Sequence, residues 1–161
     1  MAEIEMRAGD VDTAIAVMRE VAQWCIQVGK NMWSLQELTR DMLLRHPRTE
    51  SSFVTAWSDG QPAASMILQW HDPQFWPRVQ ENESGFIHKL CVRRSFAGTG
   101  LSTKMVGYAA GECRRRGAGY LRLDTDATKP RLCALYEGLG FKRAGRKLLD
   151  GRDYALYELQ I

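Results

Sequence analysis

Apolar residues follow two different periods along this chain, and each period predicts a different kind of element. Strict alternation predicts a strand, whereas apolar residues three and four positions apart predict a helix that buries one face. The alternating segments are residues 4–6, 52–57, 63–70, 86–92, 120–125, 141–148 and 154–159, and helical spacing begins near residues 11, 34, 101 and 129. This order predicts a single α/β domain over residues 1–161, with a mixed sheet and helices on both of its faces.

Turn and capping residues set the ends of several predicted elements. Asp59-Gly60 and Asp150-Gly151 are typical of two-residue hairpin turns. Ser34, with Glu37 three residues later, predicts a capping box that starts the second helix, and His46-Pro47 ends that helix. The residues expected to face inward from this helix are Leu35, Leu38 and Met42.

One stretch combines a strand, a glycine loop and the start of a helix. Residues 86–92 carry apolar side chains on both faces, which predicts a central strand. Gly98 and Gly100 allow a sharp turn, and their lack of a Cβ lets a ligand approach the backbone N–H groups. Leu101 and Met105 begin a helix whose N-terminus completes an anion site. A tight turn with close packing is the alternative interpretation of the loop.

Two well-known phosphate-binding loops do not match this stretch. A Walker loop needs Lys and then Ser or Thr directly after its last glycine, but Gly100 is followed by Leu101 and Ser102. A dinucleotide-binding loop needs a third glycine, which is absent, although Asp124 meets its requirement for an acidic residue. An ATP-dependent phosphoryl transferase is therefore disfavoured.

Composition narrows the class of protein further. A length of 161 residues and a net charge of +3 are ordinary for a globular domain, and no nucleic-acid partner is predicted. The basic run at residues 114–116 has no interleaved aromatics and is interpreted as a helix end. We expect no membrane helix and no signal peptide. The cysteines are widely spaced, which favours reduced thiols in a cytoplasm over a metal site or disulfides: Cys25, Cys91, Cys113 and Cys133.

Residues 92–102 resemble the acetyl-CoA motif of the GNAT superfamily of N-acetyltransferases, Val-x-Pro-x-aromatic-Arg/Gln-Gly-x-Gly-aliphatic-Gly/Ala. The residues that match without a gap are Val92, Phe96, Gly98, Gly100 and Leu101. The departures are Arg94 for Pro, Ala97 for Arg or Gln, and Ser102 for Gly or Ala. The segment 129–141 looks like a second family signature, with Leu132, Tyr136, Gly140 and Phe141 in place and Lys129 where the family has Asn.

The resemblance implies a GNAT-like fold, with a mixed, mostly antiparallel central sheet flanked by helices on both faces, and acetyl-CoA as co-substrate. Loop N–H groups would hold the pyrophosphate, and the backbone of residues 90–92 would pair with the pantetheine arm and polarise the thioester carbonyl. The implied cofactor-binding residues are Leu90, Cys91, Val92, Ala97, Gly98, Thr99, Gly100, Leu101, Ser102 and Lys129. Since these are main-chain contacts, Cys91 is interpreted as a small buried residue, with a nucleophile as the alternative.

The resemblance also implies that an amine attacks acetyl-CoA directly in a ternary complex. Tyr136 matches the family's tyrosine near the CoA sulfur, and a phenol with a pKa of about 10 suits a general acid for the leaving thiolate. The general base stays open. His88 is the histidine of the predicted central strand and equally fits a packed histidine. Glu83 could act through water, and Asp124 and Asp126 could bind a cationic acceptor or relay its proton. The acids as a group are favoured.

The acceptor is predicted only as a primary amine of a small molecule or a peptide. Its specificity is expected to lie in the two N-terminal helices, the loop 72–76 and the last hairpin. Trp24 and Trp33, on or between those helices, fit either core packing or an aromatic wall. An exposed aromatic loop is compatible with a homodimer. A non-catalytic acyl-CoA sensor or assembly module of the same fold is the alternative function.

Overall fold

The computed structural model describes all 161 residues of the chain. The strands are β1 (Ile4–Ala8), β2 (Phe53–Ser58), β3 (Gln61–Gln69), β4 (Ser84–Val92), β5 (Tyr120–Asp126), β6 (Lys142–Leu149) and β7 (Arg152–Gln160). The helices are α1 (Val11–Gln27), α2 (Arg40–Leu43), α3 (Leu101–Arg116) and α4 (Pro130–Gly138). Short 3-10 turns cover Leu35–Glu37, Glu50–Ser52 and Arg94–Phe96.

The strands form one seven-stranded sheet in the order β1-β2-β3-β4-β5-β7-β6. Antiparallel pairing joins β1 to β2, β2 to β3, β5 to β7 and β6 to β7, whereas β4 and β5 run parallel. The predicted α/β class with a mixed, mostly antiparallel sheet is confirmed. The fourth place of β4 in the order confirms that residues 86–92 belong to a central strand.

The chain divides into two compact units, and the division falls inside β4 between His88 and Lys89. Unit 1 comprises residues 1–68 and 89–108, and unit 2 comprises residues 69–88 and 109–161. In unit 1 the core packs α1 against Phe53 and Ile67 of the sheet. In unit 2 a smaller cluster gathers Phe75, Trp76 and Phe86. No helix of the chain has the length and hydropathy that crossing a bilayer requires.

The first helix forms as its sequence predicts. Asp10 caps α1 by accepting a hydrogen bond from the Thr13 N–H at 3.1 Å. The buried stripe of α1 faces the sheet, where the Ser65 hydroxyl donates to the Ala14 carbonyl at 3.0 Å. Burial of this stripe therefore fixes α1 on the strands of unit 1.

The prediction of one continuous second helix is wrong. The segment contains a 3-10 turn, then an extended Thr39 whose hydroxyl accepts from the Met42 N–H and starts the four-residue helix α2. The Arg19 guanidinium on α1 donates to the carbonyls of Leu35 and Leu38, which a continuous helix would have used internally. Leu38 is buried as expected, but Met42 is 45% exposed because the break turns it outward.

Both predicted hairpin turns are present. Asp59 and Gly60 have φ values of 48° and 79°, and Asp150 and Gly151 have 49° and 75°. Two successive left-handed residues are the signature of a type I′ turn, whose twist matches that of the flanking strands. These turns set the registers of the β2–β3 and β6–β7 hairpins.

Candidate functional site

The glycine loop of unit 1 presents backbone rather than side chains. Gly98 and Gly100 have φ values of 76° and 82°, and an added Cβ would meet no atom within 4 Å at either position. Glycine is therefore favoured by the backbone conformation, not by lack of space. The Lys104 N–H donates to the Gly100 carbonyl as α3 begins, so the N–H groups at residues 101–103 lie in the first turn of the helix.

Arginines flank this loop and attach it to α1. The Arg93 guanidinium donates to both carboxylate oxygens of Glu20, at 2.6 and 3.2 Å, and to the Pro62 carbonyl at 2.9 Å. The Arg94 guanidinium lies 4.1 Å from the ring centroid of Trp24. The residue that departs from the family's Pro is thus held by a cation–π contact. Trp24 also packs against the core of unit 1, which favours its core-packing interpretation.

The part of β4 that lies in unit 1 begins with an unusual backbone conformation. Lys89 has a φ of 56°, which is left-handed and rare for a residue with a side chain. Its ammonium lies 3.0 Å from Glu37 Oε1 and 4.9 Å from the Trp33 ring centroid. These contacts hold the Lys89 side chain at the point from which the backbone of residues 90–92 continues.

Cys91 is fully enclosed in the core of unit 1. Burial, reinforced by the neighbouring Cys25, raises the pKa of the Cys91 thiol far above its usual range, and nearby Lys89 only partly opposes this. Since the thiolate is the nucleophilic form, a neutral buried thiol is chemically inert. The environment therefore favours Cys91 as a small core residue.

In unit 2, His88 lies between two carboxylates. Its Nε2 is 2.8 Å from Asp72 Oδ2, and its Nδ1 is 3.4 Å from Asp124 Oδ1. All three side chains are largely buried, with 4% of the Asp72 side chain exposed, 11% of His88 and 12% of Asp124. The Phe75 ring lies beside the imidazole, with centroids 6.0 Å apart. A buried imidazole with an acid near each nitrogen is a candidate group for proton exchange.

The parallel ladder brings two of these residues together. The pairing of β4 with β5 runs from Ser84 opposite Tyr120 to Ile87 opposite Leu123. His88 and Asp124 are the next residues on the two strands, and their side chains meet directly beyond the last pair. The sequence predicted both as candidates but did not predict this contact.

The same three side chains are the group best placed to hold a metal ion, since one ligand atom from each lies within 4.8 Å of the others. The two carboxylates, however, face different nitrogens of one imidazole. A metal ion takes one nitrogen of an imidazole, so binding an ion would break one of these contacts. The geometry therefore fits a hydrogen bond between His88 and Asp72, with Asp124 close to the other nitrogen, better than a metal centre.

Glu83 takes part in a turn of its own, immediately before β4. Its carboxylate accepts from the Gln80 N–H at 3.1 Å, and its carbonyl accepts from the Gly119 N–H at 3.1 Å. Asp126 likewise accepts from the N–H and the hydroxyl of Thr128, at 2.9 and 2.6 Å. Although burial raises the pKa of Asp126, these hydrogen bonds outweigh it and lower that pKa below its usual value. Both acids therefore have local structural roles.

Tyr136 lies on α4, where its side chain is almost fully buried. Its ring packs edge-on against Phe141 at 5.9 Å and lies 6.4 Å from the Tyr157 ring. The Tyr157 hydroxyl donates to Glu137 at 2.6 Å, and burial together with this hydrogen bond raises the pKa of Tyr157. Lys129 is the N-cap residue of α4, before Pro130. The second signature thus forms a helix as predicted.

Asp72 is the site residue that sequence reasoning missed. It belongs to the loop after β3, which the sequence marks as a segment expected to contribute to acceptor specificity. Its partner His88 lies sixteen residues away on another element, so no local pattern links them. The only available signal was an Asp followed by Pro within an aromatic loop.

A family model described as the acetyltransferase (GNAT) family matches residues 17–141. An uncharacterized N-acetyltransferase, YesJ of Bacillus subtilis (strain 168), is 24% identical over 157 residues, which cover 94% of this chain and 86% of that protein. An acetyltransferase of the GNAT family from Listeria monocytogenes superposes with a TM-score of 0.77 at 21% identity, covering 99% and 95% of the two chains. The ribosomal-protein-S18-alanine N-acetyltransferase of Escherichia coli does so with a TM-score of 0.68 at 20% identity, covering 99% and 94%.

Proposed function

The chain belongs to the GNAT family of acetyltransferases, and from this premise we propose that it is an acetyl-CoA-dependent N-acetyltransferase formed by a single domain over residues 1–161. The acceptor is a primary amine of a small molecule or a peptide, which attacks the thioester directly. The observation that supports this most is the buried His88 imidazole with a carboxylate at each nitrogen.

The cofactor is held chiefly by main-chain groups. The loop N–H groups at Gly98, Thr99 and Gly100, with those of Leu101 and Ser102 at the start of α3, bind the pyrophosphate. The departure at Ala97 removes a side chain and leaves these donors in place. The backbone of residues 90–92 pairs with the pantetheine arm, and an N–H in this segment polarises the thioester carbonyl. Lys129 lies where the family's pantetheine-contacting Asn would be.

The His88–Asp124 pair acts as the general base. An alkylammonium carries three protons, of which the amide product keeps one. The first proton passes to His88–Asp124 and then to solvent, and the free amine attacks the thioester carbon. The C–S bond breaks, Tyr136 protonates the departing thiolate, and the second proton of the amine restores the Tyr136 phenol. The balanced products are the N-acetyl amine, CoA and one proton.

Two acceptor classes follow from the proposal. The similarity to the E. coli enzyme, whose name specifies an alanine of the ribosomal protein S18, supports testing peptide amines. The carboxylates of Asp72 and Asp124 support testing cationic small amines, because negative charge favours an ammonium group. Reduced, buried cysteines support a cytoplasmic location. The homodimer stays a prediction to be checked by light scattering, because Phe75 and Trp76 of the loop 72–76 are buried and offer no exposed aromatic surface.

The test is incubation with acetyl-CoA and two amine panels, one of peptides with free N-termini and one of small di- and polyamines. Mass spectrometry detects the acetylated product, and a thiol reagent detects released CoA. Equal amounts of acetylated amine and released CoA in either panel support the proposal. Acetyl-CoA binding without product in both panels contradicts it and favours the sensor function.

A further inference from the structure

Asp72 is fixed more firmly than the other members of the His88 cluster. It is only 3% exposed. The Phe75 N–H donates to its Oδ1 at 3.2 Å, and the Trp76 N–H donates to its carbonyl at 2.8 Å. The carboxylate therefore closes a turn within the loop after β3, and its orientation is set by the backbone.

The other oxygen of this carboxylate meets His88. The distance from Oδ2 to Nε2 is 2.8 Å, which is the length of a good hydrogen bond. An ionised carboxylate can only accept hydrogen bonds, so when Asp72 is ionised the proton of this bond belongs to Nε2. Asp72 thereby lies at one edge of the imidazole, where its carboxylate favours the tautomer with a proton on Nε2.

The second nitrogen faces a different group. Nδ1 lies 3.4 Å from Asp124 Oδ1. When Nε2 holds its proton toward Asp72, Nδ1 is the nitrogen that exchanges a proton with Asp124. The charged and titratable groups that contact the ring are thus Asp72 from the loop and Asp124 from β5, while Phe75 covers it with an apolar ring.

We propose that Asp72 is a positioning residue that holds His88 with a proton on Nε2, so that Nδ1 and Asp124 together form the working base. This inference rests on the proposed function, because it assigns a task to His88 in acetyl transfer. It adds a residue outside both family signatures to the site. An analogous arrangement of carboxylate, imidazole and reacting group fixes the tautomer in hydrolase triads.

The variant D72N tests this assignment because the structure predicts how the amide will lie. Its oxygen keeps the hydrogen bond from the Phe75 N–H, so its NH2 group faces Nε2. An amide donor at that place requires a lone pair on Nε2 and moves the ring proton to Nδ1. The substitution hardly changes the shape of the side chain, but it moves the proton of His88 from Nε2 to Nδ1.

Two-bond ¹H–¹⁵N correlation spectra of labelled protein distinguish the two nitrogens directly. The chain has three histidines, so variants at His46 and His71 assign the His88 signals. We expect wild-type His88 to keep a proton on Nε2, and D72N to show an unprotonated Nε2. The matched control D150N makes the same chemical change in the β6–β7 turn and should leave the spectrum of His88 unaltered.

Turnover provides the second measurement. We expect D72N to lower kcat by about 10²-fold or more, within the range of general-base contributions, while acetyl-CoA affinity stays within about twofold. A neutral wild-type His88 with its proton on Nδ1 would overturn the proposal even if D72N did not fold. An unchanged Nε2 proton in folded D72N would overturn it too. Because the spectra need no acceptor, a wild-type protein without turnover would refute the proposed function separately.

Discussion

The candidate functional groups of the two compact units differ in kind, since those of unit 1 are backbone groups and those of unit 2 are side chains. In unit 1 the glycine loop uses main-chain N–H groups, and positive φ values at Gly98 and Gly100 shape it. In unit 2 the candidate groups are side chains that come from a loop, from β4 and from β5, namely Asp72, His88 and Asp124. A main-chain site tolerates side-chain changes such as Ala97, whereas a side-chain site depends on each individual group. Substitutions should therefore separate cofactor binding from proton transfer.

The largest effect is expected from removing the imidazole. The variant His88→Gln should lower kcat at saturating acetyl-CoA by about 10³-fold, since general bases contribute about 10²–10⁴-fold. The matched control His71→Gln alters a histidine outside the cluster and should change kcat less than about threefold. Glu83→Gln should behave like this control, because the Glu83 carboxylate accepts from a turn N–H. A larger loss in Glu83→Gln than in His88→Gln would assign the base to Glu83.

The next effect concerns the backbone loop. Gly100→Glu should weaken acetyl-CoA binding by about 10²-fold or more, since a left-handed side-chain residue costs about 1–2 kcal/mol and a carboxylate there repels the pyrophosphate. Gly60→Glu provides the matched control, with a nearly identical φ of 79° in a hairpin turn. Calorimetric titration measures the acetyl-CoA affinity of both variants. Equal affinities for the two variants would show that the loop does not hold the cofactor.

A smaller loss is expected when the proposed acid is removed. Tyr136→Phe keeps the ring packing against Phe141 and loses only the hydroxyl. We expect kcat to fall by about 10–10²-fold, at the lower end of general-acid contributions, with acetyl-CoA affinity nearly unchanged. Tyr120→Phe is the control on β5. If turnover of Tyr136→Phe equals that of the control, the hydroxyl has no role in protonating the thiolate.

The smallest effect is expected at Cys91. Because burial raises the pKa of this thiol above its usual range, the neutral form persists across neutral and mildly alkaline pH, and the reactive thiolate appears only as the pH rises further. Cys91→Ala should retain turnover within about threefold. The native protein should also resist iodoacetamide at mildly alkaline pH. An acetylated wild-type protein in the absence of acceptor, together with an inactive Cys91→Ala, would instead establish a covalent intermediate.

The sequence predicts the parts of this structure that depend on local chemistry. Hairpin turns at residues 59–60 and 150–151 and the central place of residues 86–92 follow from residue type and period. The predicted second helix is interrupted where Arg19, from a different element, donates to the carbonyls of Leu35 and Leu38. Helix propensity contains no information about such a long-range donor.

The residues of the candidate site also divide into those that local sequence predicts and those that depend on the fold. The glycine loop is continuous in sequence, so its pattern is visible without a fold. The contact of His88 with Asp124 depends on the parallel register of β4 and β5, and the contact with Asp72 depends on a loop turned by the Phe75 N–H. Periodicity fixes which face of a strand a residue occupies but not its neighbour on the next strand. The family resemblance included no residue at position 72.

The most direct test that cofactor binding and proton transfer depend on different residues is the acetyl-CoA affinity of folded His88→Gln. It is measured by calorimetric titration beside the wild type. The proposed main-chain groups for the pyrophosphate and the pantetheine arm belong to unit 1, and the substituted side chain belongs to unit 2. We predict dissociation constants that agree within about twofold, despite the loss of turnover. A tenfold weaker affinity in the variant would contradict the account, because it would show that the imidazole contributes to holding the cofactor.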